Sequence, residues 1–267
     1  MKLLVIITLF FFSETVPAQL KIISWNIENL GKSKSDSTLI FIANTIKNGD
    51  IIALQEVVAG YGGAQAVAKL AEKLNRMGLK WDYSISDPTT TSAYKTERYA
   101  FFWKTNKVKK IGAAWLEQKY NLEIDREPYY CTFEFNKKQL TLVNFHAKTK
   151  SKQPETEIKY FKFLPINYHD KNLIFLGDFN CPQSHTVFIP LRKMGYESAF
   201  ENQKTSLKKA CINGNCLASE FDNIWYATAK LSIKSKEILH FYKNFTNINT
   251  ARKISDHVPI YIEVELK

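Results

Sequence analysis

Several short apolar runs in this chain stop at an acid, an amide or a histidine. Three of them occupy positions 22–25, 51–54 and 173–176, and they lead to Asn26, to Gln55-Glu56 and to Gly177-Asp178. Runs of this length, rich in Ile and Leu, are typical of strands that are buried on both faces. Because neighbouring strands end at a common edge of a sheet, we expect these polar side chains to line one crevice.

The pattern of the whole chain predicts one α/β domain of two packed mixed sheets with outer helices. Helical spacing of apolar residues predicts helices at 38–47, capped by Asp36 or Ser37, and at 64–77, ended by Gly78. Shorter helices are predicted at 155–163 and at 186–194, where Pro190 would interrupt the second. Strands are predicted at 21–26, 50–55, 81–86, 99–103, 107–115, 129–135, 139–145, 172–177, 221–226, 238–242 and 258–264. Because the strands do not alternate strictly with helices, the pattern favours two sheets packed face to face. The length of 267 residues is compatible with a single domain.

Residues 1–18 have the pattern of a secretory signal peptide. Met1-Lys2 gives a basic start, residues 3–12 are apolar apart from Thr8, and Val16-Pro17-Ala18 resembles a cleavage site. The apolar run is too short to cross a bilayer, and a buried first strand is the alternative interpretation. We therefore expect a secreted monomer, extracellular or periplasmic, without a membrane anchor and with its domain at 19–267.

The charge of the chain favours a polyanionic partner. Lys and Arg number 37 against 26 Asp and Glu, which gives a net charge of +11. Loss of residues 1–18 removes Lys2 and Glu14 and leaves that value unchanged. Lysines that neutralise phosphates release counterions and so favour nucleic-acid binding. A general contribution to solubility is the alternative.

The four cysteines do not have the spacing of a zinc site, because none forms a Cys-x-x-Cys pair. Export makes disulfides plausible. Cys211 and Cys216 would close a short loop around Gly214, and Cys181 would be an alternative partner for either of them. Cys131 is the fourth cysteine, and the sequence leaves the connectivity open.

The polar residues at the strand ends suit hydrolysis of a phosphodiester. Carboxylate and amide oxygens are the ligands of a hard cation such as Mg²⁺. Gly177 permits a sharp turn, and Asp178 and Asn180 point the same way in extended chain. His146 and His257 each adjoin a predicted strand, and histidine is the side chain most easily poised for proton transfer near neutral pH. Asp178 and Asn180 could instead form a turn at the end of the strand, which is the structural alternative for them. For the two histidines, the alternative is a buried imidazole that is hydrogen-bonded within the core.

Two further acids and one arginine complete the candidate set. Glu97 would orient His146, and Asp222 would orient His257, because a carboxylate fixes the tautomer of an imidazole and raises its basicity. Surface salt bridges are the alternative for both acids. Arg126 offers a guanidinium for a phosphate clamp, with a solvated loop as its alternative.

Four short motifs of this chain resemble motifs of the endonuclease/exonuclease/phosphatase superfamily, and they occur in the same order as in that family. They are Trp25-Asn26, Gln55-Glu56, Gly177-Asp178-Phe179-Asn180 and Ser255-Asp256-His257. Within the superfamily, residues 26–31, residues 94–103 and Arg126-Glu127-Pro128 look most like the deoxyribonuclease I branch. The resemblance covers nearly all of the chain after the leader.

The resemblance implies a four-layer α/β/β/α sandwich that hydrolyses duplex DNA and leaves 5′-phosphate ends. It implies metal ligands at Asn26, Glu56, Asp178 and Asp256. It implies catalytic roles for His146 with Glu97, for His257 with Asp222, and for Asp178 and Asn180. It implies substrate contacts from Asn180, Arg126 and Tyr94. The implied cofactor is Mg²⁺, with Mn²⁺ as a substitute and Ca²⁺ as a structural ion.

Two departures from that branch concern groove contacts. Val57-Val58 stand where the branch usually has an arginine that enters the minor groove. Thr96 looks like an insertion before Glu97-Arg98-Tyr99, which bears on the sugar-stacking role of Tyr94. Single-stranded DNA and RNA therefore stay open as substrates. A phospholipid phosphodiesterase of the sphingomyelinase type is one alternative, although no clear apolar loop for reaching a bilayer stands out in the sequence. A non-catalytic nucleic-acid-binding module is the other.

Overall fold

The computed structural model describes residues 18–90 and 96–267. The predicted signal peptide, apart from Ala18, and the predicted substrate contact Tyr94 therefore lie outside the described residues. The strands are β1 (Leu20–Leu30), β2 (Ile51–Val58), β3 (Trp81–Ile85), β4 (Glu97–Lys104), β5 (Lys109–Leu116), β6 (Tyr129–Phe135), β7 (Lys138–His146), β8 (Leu173–Asp178), β9 (Tyr196–Ser198), β10 (Leu207–Ile212), β11 (Asn215–Leu217), β12 (Asp222–Ala227), β13 (Leu231–Ile238) and β14 (Ile260–Leu266). The α-helices are α1 (Asp36–Ile46), α2 (Tyr61–Asn75), α3 (Glu155–Ile158), α4 (Leu164–Asn167), α5 (Ile189–Lys193) and α6 (Ile248–Arg252).

Two six-stranded sheets form the centre of the molecule, as predicted. The first has the spatial order β13-β14-β1-β2-β4-β3, and the second has the order β5-β6-β7-β8-β12-β9. Each sheet contains one parallel pair, β1 with β2 and β7 with β8, and its other pairs are antiparallel. A separate hairpin joins β10 to β11. No helix among the described residues combines the length and apolar character needed to cross a bilayer.

Three apolar clusters separate four layers, α/β/β/α. Side chains alternate across β1, so that Ile22 enters the cluster between the sheets and Ile23 enters the cluster beneath α1 and α2. A third cluster packs the outer face of the second sheet, where Phe161 contacts Phe145 and Phe175. This burial on both faces explains why the central strands read as continuous apolar runs.

The structure corrects several local predictions. Residues 238–242 were expected to form a strand, but β13 ends at Ile238 and a 3₁₀ turn covers Phe241–Asn244. Strands β9, β10, β11 and the body of β13 have exposed, charged or irregular sequences that gave no strand signal. Ser35 caps α1, where its Oγ accepts the Thr38 N–H. Pro190 stands in the first turn of α5, which tolerates proline because that N–H has no helical partner.

Gly177 permits the close approach of β7 and β8 just before the end of β8. Its φ is +136°, and a Cβ at this position would lie 1.9 Å from the carbonyl oxygen of Phe145. No larger residue fits without moving the backbone of β7. The position of the next residue, Asp178, therefore depends on this glycine.

Gly177→Ala is expected to lower the free energy of unfolding by more than about 2 kcal/mol, because it adds both a backbone clash and an unfavourable φ. Urea denaturation followed by circular dichroism measures the change. Gly60→Ala is the matched control, since a Cβ there meets nothing within 4 Å, and it should cost less than about 1 kcal/mol. Equal stability of the two variants would contradict this account of Gly177.

Candidate active site

The carboxyl ends of the two parallel pairs meet across the sandwich. In the first sheet Asn26 pairs with Gln55, and in the second His146 pairs with Asp178. The sheets face each other with β1 near β8 and β2 near β7. Side chains from four strands of two sheets therefore line a single cleft, as the sequence predicted, although β1 and β2 continue beyond Asn26 and Glu56 to Leu30 and Val58.

An irregularity in β2 turns Glu56 into the cleft. The register with both neighbouring strands shifts around this residue, and its φ is +59°. Gln55 points between the sheets, where its Nε2 donates to Ser24 Oγ at 3.1 Å and to Asn144 Oδ1 at 2.6 Å. The bulge thus lets Glu56 point into the cleft while the preceding residue, Gln55, points between the sheets.

Asn26 joins the two acids on the floor of the cleft. Its Nδ2 donates to Glu56 Oε1 at 2.9 Å and to Asp178 Oδ2 at 3.1 Å. Its Oδ1 accepts the Glu28 N–H at 3.1 Å. Asn26 therefore holds the carboxylates together, and its own oxygen is engaged by the backbone. Its role as a metal ligand stays a prediction.

His146 is held by Glu97, as expected. The Nδ1 atom lies 3.0 Å from both carboxylate oxygens of Glu97. The Nε2 atom faces the floor, 3.5 Å from Asp178 Oδ2 and 3.8 Å from Glu56 Oε1. Tyr99 fixes the backbone, because its hydroxyl accepts the His146 N–H at 3.2 Å.

His257 is held by Asp222 in a second pair of the same kind. Its Nδ1 lies 2.7 Å from Asp222 Oδ2, and its Nε2 lies 3.6 Å from Asp178 Oδ2. Thr205 donates its hydroxyl to the same Asp222 oxygen at 2.6 Å and accepts the Asp222 N–H at 2.9 Å. Thr205 was not identified from the sequence, because a lone threonine between polar loop residues carries no pattern.

Hydrogen bonds from the first sheet fix the segment that carries Asp256 and His257. Trp25 Nε1 donates to the His257 carbonyl at 2.8 Å, and Ser255 Oγ donates to the Asn26 carbonyl at 2.6 Å. Ser255 Oγ also accepts the His257 N–H at 2.9 Å. These bonds explain why Trp25 precedes Asn26 and why Ser255 precedes Asp256 in the sequence motifs.

Arg126 lies behind His146 and borders the cleft, and its role as a DNA contact stays a prediction. Its Nε donates to the His146 carbonyl at 3.0 Å, its Nη2 donates to the Ala147 carbonyl, and its Nη1 lies 3.3 Å from Glu97 Oε2. Only 11% of the side chain is exposed. The guanidinium borders the cleft, and each of its three nitrogens contacts the His146 carbonyl, the Ala147 carbonyl or Glu97.

Asn180 and Asp256 complete the predicted set. The Asn180 N–H donates to Asp178 Oδ1 at 2.9 Å, and its Nδ2 donates to the Ala147 carbonyl at 3.0 Å. Asp256 is one-third exposed, with Oδ1 3.9 Å from His257 Nε2. Its Oδ2 lies 3.6 Å from Arg252, a cleft residue that the sequence did not single out.

The cleft has a volume of about 570 Å³ and is lined by both acids and cations. The lining carboxylates are those of Glu28, Glu56, Asp178 and Asp256, and the group around the buried Asp178 is called the floor. The lining cations include Lys150 and Lys209, which are exposed and are called the rim, and the half-buried Arg252. A polyanion could therefore lie across the rim while a cation occupies the floor.

The burial and charge of the site shift the pKa values of both histidines upward. Burial opposes protonation of His257, but the negative charges of Asp222 and Asp178 outweigh it and hold the pKa of His257 well above its usual value. Burial likewise opposes protonation of His146, and Glu97 outweighs it to raise that pKa. Burial favours the neutral acid at Asp178, yet the two imidazoles keep its pKa below the usual value.

The floor of the cleft fits a divalent cation. Burial and then repulsion from Asp256 raise the pKa of Glu28, which lines the cleft together with Glu56 and Asp256. Glu56 and Asp178 offer carboxylate oxygens on either side of one amide, the donor type that Mg²⁺ prefers. Asp178, Asp222 and His257 also lie within metal-binding distance of one another. We assign Asp222 to His257 instead, because its Oδ2 is occupied by His257 and Thr205.

Comparison with known proteins gives a family match over most of the chain. The model of the family described as "Endonuclease/Exonuclease/phosphatase family" matches residues 23–257. A deoxyribonuclease of Thioalkalivibrio sp. (strain K90mix) is 25% identical over 272 residues, which cover 93% of this chain and 72% of that protein.

Two solved structures share the fold at low sequence identity. An endonuclease/exonuclease/phosphatase family protein from Bacteroides thetaiotaomicron superimposes with a TM-score of 0.68 at 17% identity, over 94% of this chain and 98% of its own. TDP2 of D. rerio, solved with a single-strand DNA product, superimposes with a TM-score of 0.66 at 16% identity, over 92% and 99%. These likenesses confirm the predicted fold class.

Asp222→Asn is expected to lower the pKa of His257, because it removes the strongest charge that favours the imidazolium. The stabilisation from the raised pKa is complete below the ordinary histidine pKa of about 6.5 and is lost as the pH rises through the folded-state pKa of His257. The variant should therefore be destabilised most at low pH, and less once the wild-type imidazole is neutral.

Histidine-selective NMR in the presence of a chelator measures the pKa, and urea denaturation at pH 6 and pH 10 measures the stability. His240 is the internal control, since it contacts Tyr242 outside the cleft. An unchanged His257 titration in Asp222→Asn would contradict the proposed pairing.

Proposed function

The chain belongs to the endonuclease/exonuclease/phosphatase family, and from that membership we propose that it is a divalent-metal-dependent endonuclease that cleaves DNA with little sequence preference and leaves 5′-phosphate ends. The observation that carries the proposal is the pair of carboxylate-held imidazoles whose Nε2 atoms both face Asp178 above an acidic floor. The deoxyribonuclease relative supports DNA as the substrate.

The two imidazoles would divide the proton transfers of phosphodiester hydrolysis. One Nε2 takes a proton from the attacking water, and the other donates a proton to the 3′-oxygen as the P–O3′ bond breaks. Glu97 and Asp222 keep His146 and His257 oriented throughout, because each binds the Nδ1 that does not face the substrate.

Asn180, Arg126 and a bound divalent ion would prepare the phosphate for attack. The Asn180 amide lies at the edge of the cleft, where it would contact a phosphate oxygen. Arg126 holds the carbonyls of His146 and Ala147, which fixes the backbone that carries this imidazole. A divalent ion held by Glu56, Asp178 and Asp256, with Asn26 beside them, would supply positive charge to the scissile phosphate.

A nucleic acid fits the outer charge of the cleft better than a small phosphoester does. The chain carries a net charge of +11, and Lys150, Lys209 and Arg252, from separate segments, line the cleft. A polymer that crosses the cleft can neutralise several of them at once, which a single phosphate group cannot do. Activity should accordingly fall as the salt concentration rises.

His146→Ala and His257→Ala should each slow plasmid nicking at least about a hundredfold, the usual scale for a lost acid or base. His240→Ala is the matched control and should nick at the wild-type rate. Supercoiled plasmid with Mg²⁺, with and without chelator, is the assay, and chelator should abolish nicking.

The same assay separates the alternative functions. Near-normal nicking by both histidine variants would refute their catalytic roles. Plasmid binding without nicking under any divalent ion would favour a non-catalytic binding module. Release of phosphocholine from sphingomyelin vesicles, without nicking, would favour a phospholipid phosphodiesterase.

We further propose that the protein is exported and that residues 1–18 are removed. A disulfide joins Cys211 to Cys216, which supports folding in an oxidising compartment. The free cysteines Cys131 and Cys181 are buried, so they are protected from pairing. Amino-terminal sequencing of the protein recovered from the medium or periplasm of an expressing bacterium should begin at Gln19. Recovery only from the cytoplasm, with Met1 retained, would contradict export.

A further inference from the structure

A hairpin stands at the rim of the cleft and takes no part in either main sheet. It comprises β10, β11 and the turn between them, residues 207–217, and we call it the arm. Its strands pair at Leu207 with Leu217 and at Ile212 with Asn215. Residues 209–215 are all exposed, and Ile212 near the tip is 63% exposed. The arm therefore projects from the body instead of packing on it.

The base of the arm is bonded to the segment that carries Asp256 and His257. The Leu207 N–H donates to the Asp256 carbonyl at 2.6 Å, and Arg252 Nη1 donates to the Leu207 carbonyl at 2.6 Å. Ser206 forms an isolated bridge with His257. The direction in which the arm projects is therefore fixed relative to the active site.

The disulfide stiffens the exposed part of the arm. An isolated two-stranded hairpin is marginally stable in water, and this one pairs with no third strand. Cys211 and Cys216 link its two strands directly beside the turn. Asn213 and Gly214 both have positive φ, 51° and 76°, which suits the tight turn between them. A stapled hairpin loses less conformational freedom when it binds a partner.

The chemistry of the arm suits a phosphate backbone. Residues 207–217 contain two lysines and two asparagines and no acid. Lys209 lines the cleft, and Lys208, its neighbour on the other face of the strand, does not. Lys150 lies on the cleft as well, on a separate 3₁₀ turn. A chain of phosphates that leaves the acidic floor can therefore pass Lys209 on its way along the arm.

We propose that the arm binds the backbone of duplex DNA beyond the cleaved phosphodiester, and that it gives the site its preference for polymers over small phosphodiesters. This inference rests on the nuclease function proposed above. From Leu207 to Ile212 the strand extends about 17 Å at 3.3 Å per residue. Measured along the helix axis, that length spans about five base pairs of DNA at 3.4 Å each. Lys209 makes the contact nearest to the active site.

The salt dependence of DNA binding tests the contact directly. Anisotropy of a labelled 20-base-pair duplex is measured between 50 and 200 mM salt, with Mg²⁺, in a His257→Ala background that keeps the duplex intact. Adding Lys209→Gln should reduce the slope of log Kd against log salt by about 0.9, the value for one phosphate contact. Lys208→Gln is the matched control, with the same loss of charge and an unchanged slope. Equal slopes for Lys209→Gln and the background, or equal reductions for both lysines, would overturn the proposal.

Removal of the staple tests the role of the arm as a rigid element. The double variant Cys211→Ala/Cys216→Ala should bind the duplex about two- to tenfold more weakly, because its arm must be ordered on binding. A phosphine reductant should lower the affinity of the wild-type protein for the duplex by the same factor. It should leave the affinity of the double variant unchanged. Wild-type affinity in the double variant, with its fold intact by circular dichroism, would overturn this role.

The rates on two substrates separate this inference from the proposed function. For variants with both histidines present, the ratio of the rate on plasmid to the rate on bis(4-nitrophenyl) phosphate should fall with Lys209→Gln and with loss of the staple. That small diester is too short to reach the arm. A wild-type protein that hydrolyses neither substrate contradicts the nuclease function itself. A wild-type protein that nicks plasmid, with ratios unchanged in the variants, contradicts only the arm.

Discussion

The buried carboxylate of Asp178 is the group around which the rest of this structure is arranged. One of its oxygens lies within 3.6 Å of both imidazole Nε2 atoms and accepts a hydrogen bond from Asn26. A buried carboxylate is costly unless charges and donors surround it. The two histidines supply those charges, and they require Glu97 and Asp222 behind them in turn. The polar residues of the site thus form one interdependent set, in which the loss of one member leaves another unbalanced.

The architecture explains how such a set can be assembled from distant parts of the chain. Each six-stranded sheet has one parallel pair near its centre, and parallel strands end at the same edge. Stacking the two sheets brings four of these ends together. Gly177 permits the approach of β7 and β8, and the bulge at Glu56 redirects one side chain. The positive φ of Glu56 strains its backbone, whereas Gly177 accommodates its positive φ because it has no Cβ, and both lie where function constrains the side chains more than regular pairing does.

The sequence predicted well those parts of the fold that are buried on both faces. The strand at 129–135 has the predicted bounds, and the histidine–carboxylate pairs formed as expected. It predicted poorly where structure depends on neighbours in space. Strands β10 and β13 have exposed residues without alternation, so their pairing partners alone make them strands. Residues 238–242 were expected to form a strand because most of them are apolar, but the pairing of β13 with β14 ends at Ile238. Phe241 instead starts a 3₁₀ turn and packs against Trp25 and against Phe41 of α1.

The sequence by itself determined which chemical groups stand at the strand ends, because an apolar run followed by an acid or an imidazole can be read from the order of residues. It also determined the positive charge and the cysteines available for a staple. Only the tertiary structure decided what each group contacts. It directed Arg126 to the carbonyls behind His146, and it set Thr205 against Asp222. It paired Cys211 with Cys216 and placed their hairpin beside the cleft. The reason is physical: a hydrogen bond or a disulfide depends on distances of a few ångströms, and those distances exist only once the two sheets have packed.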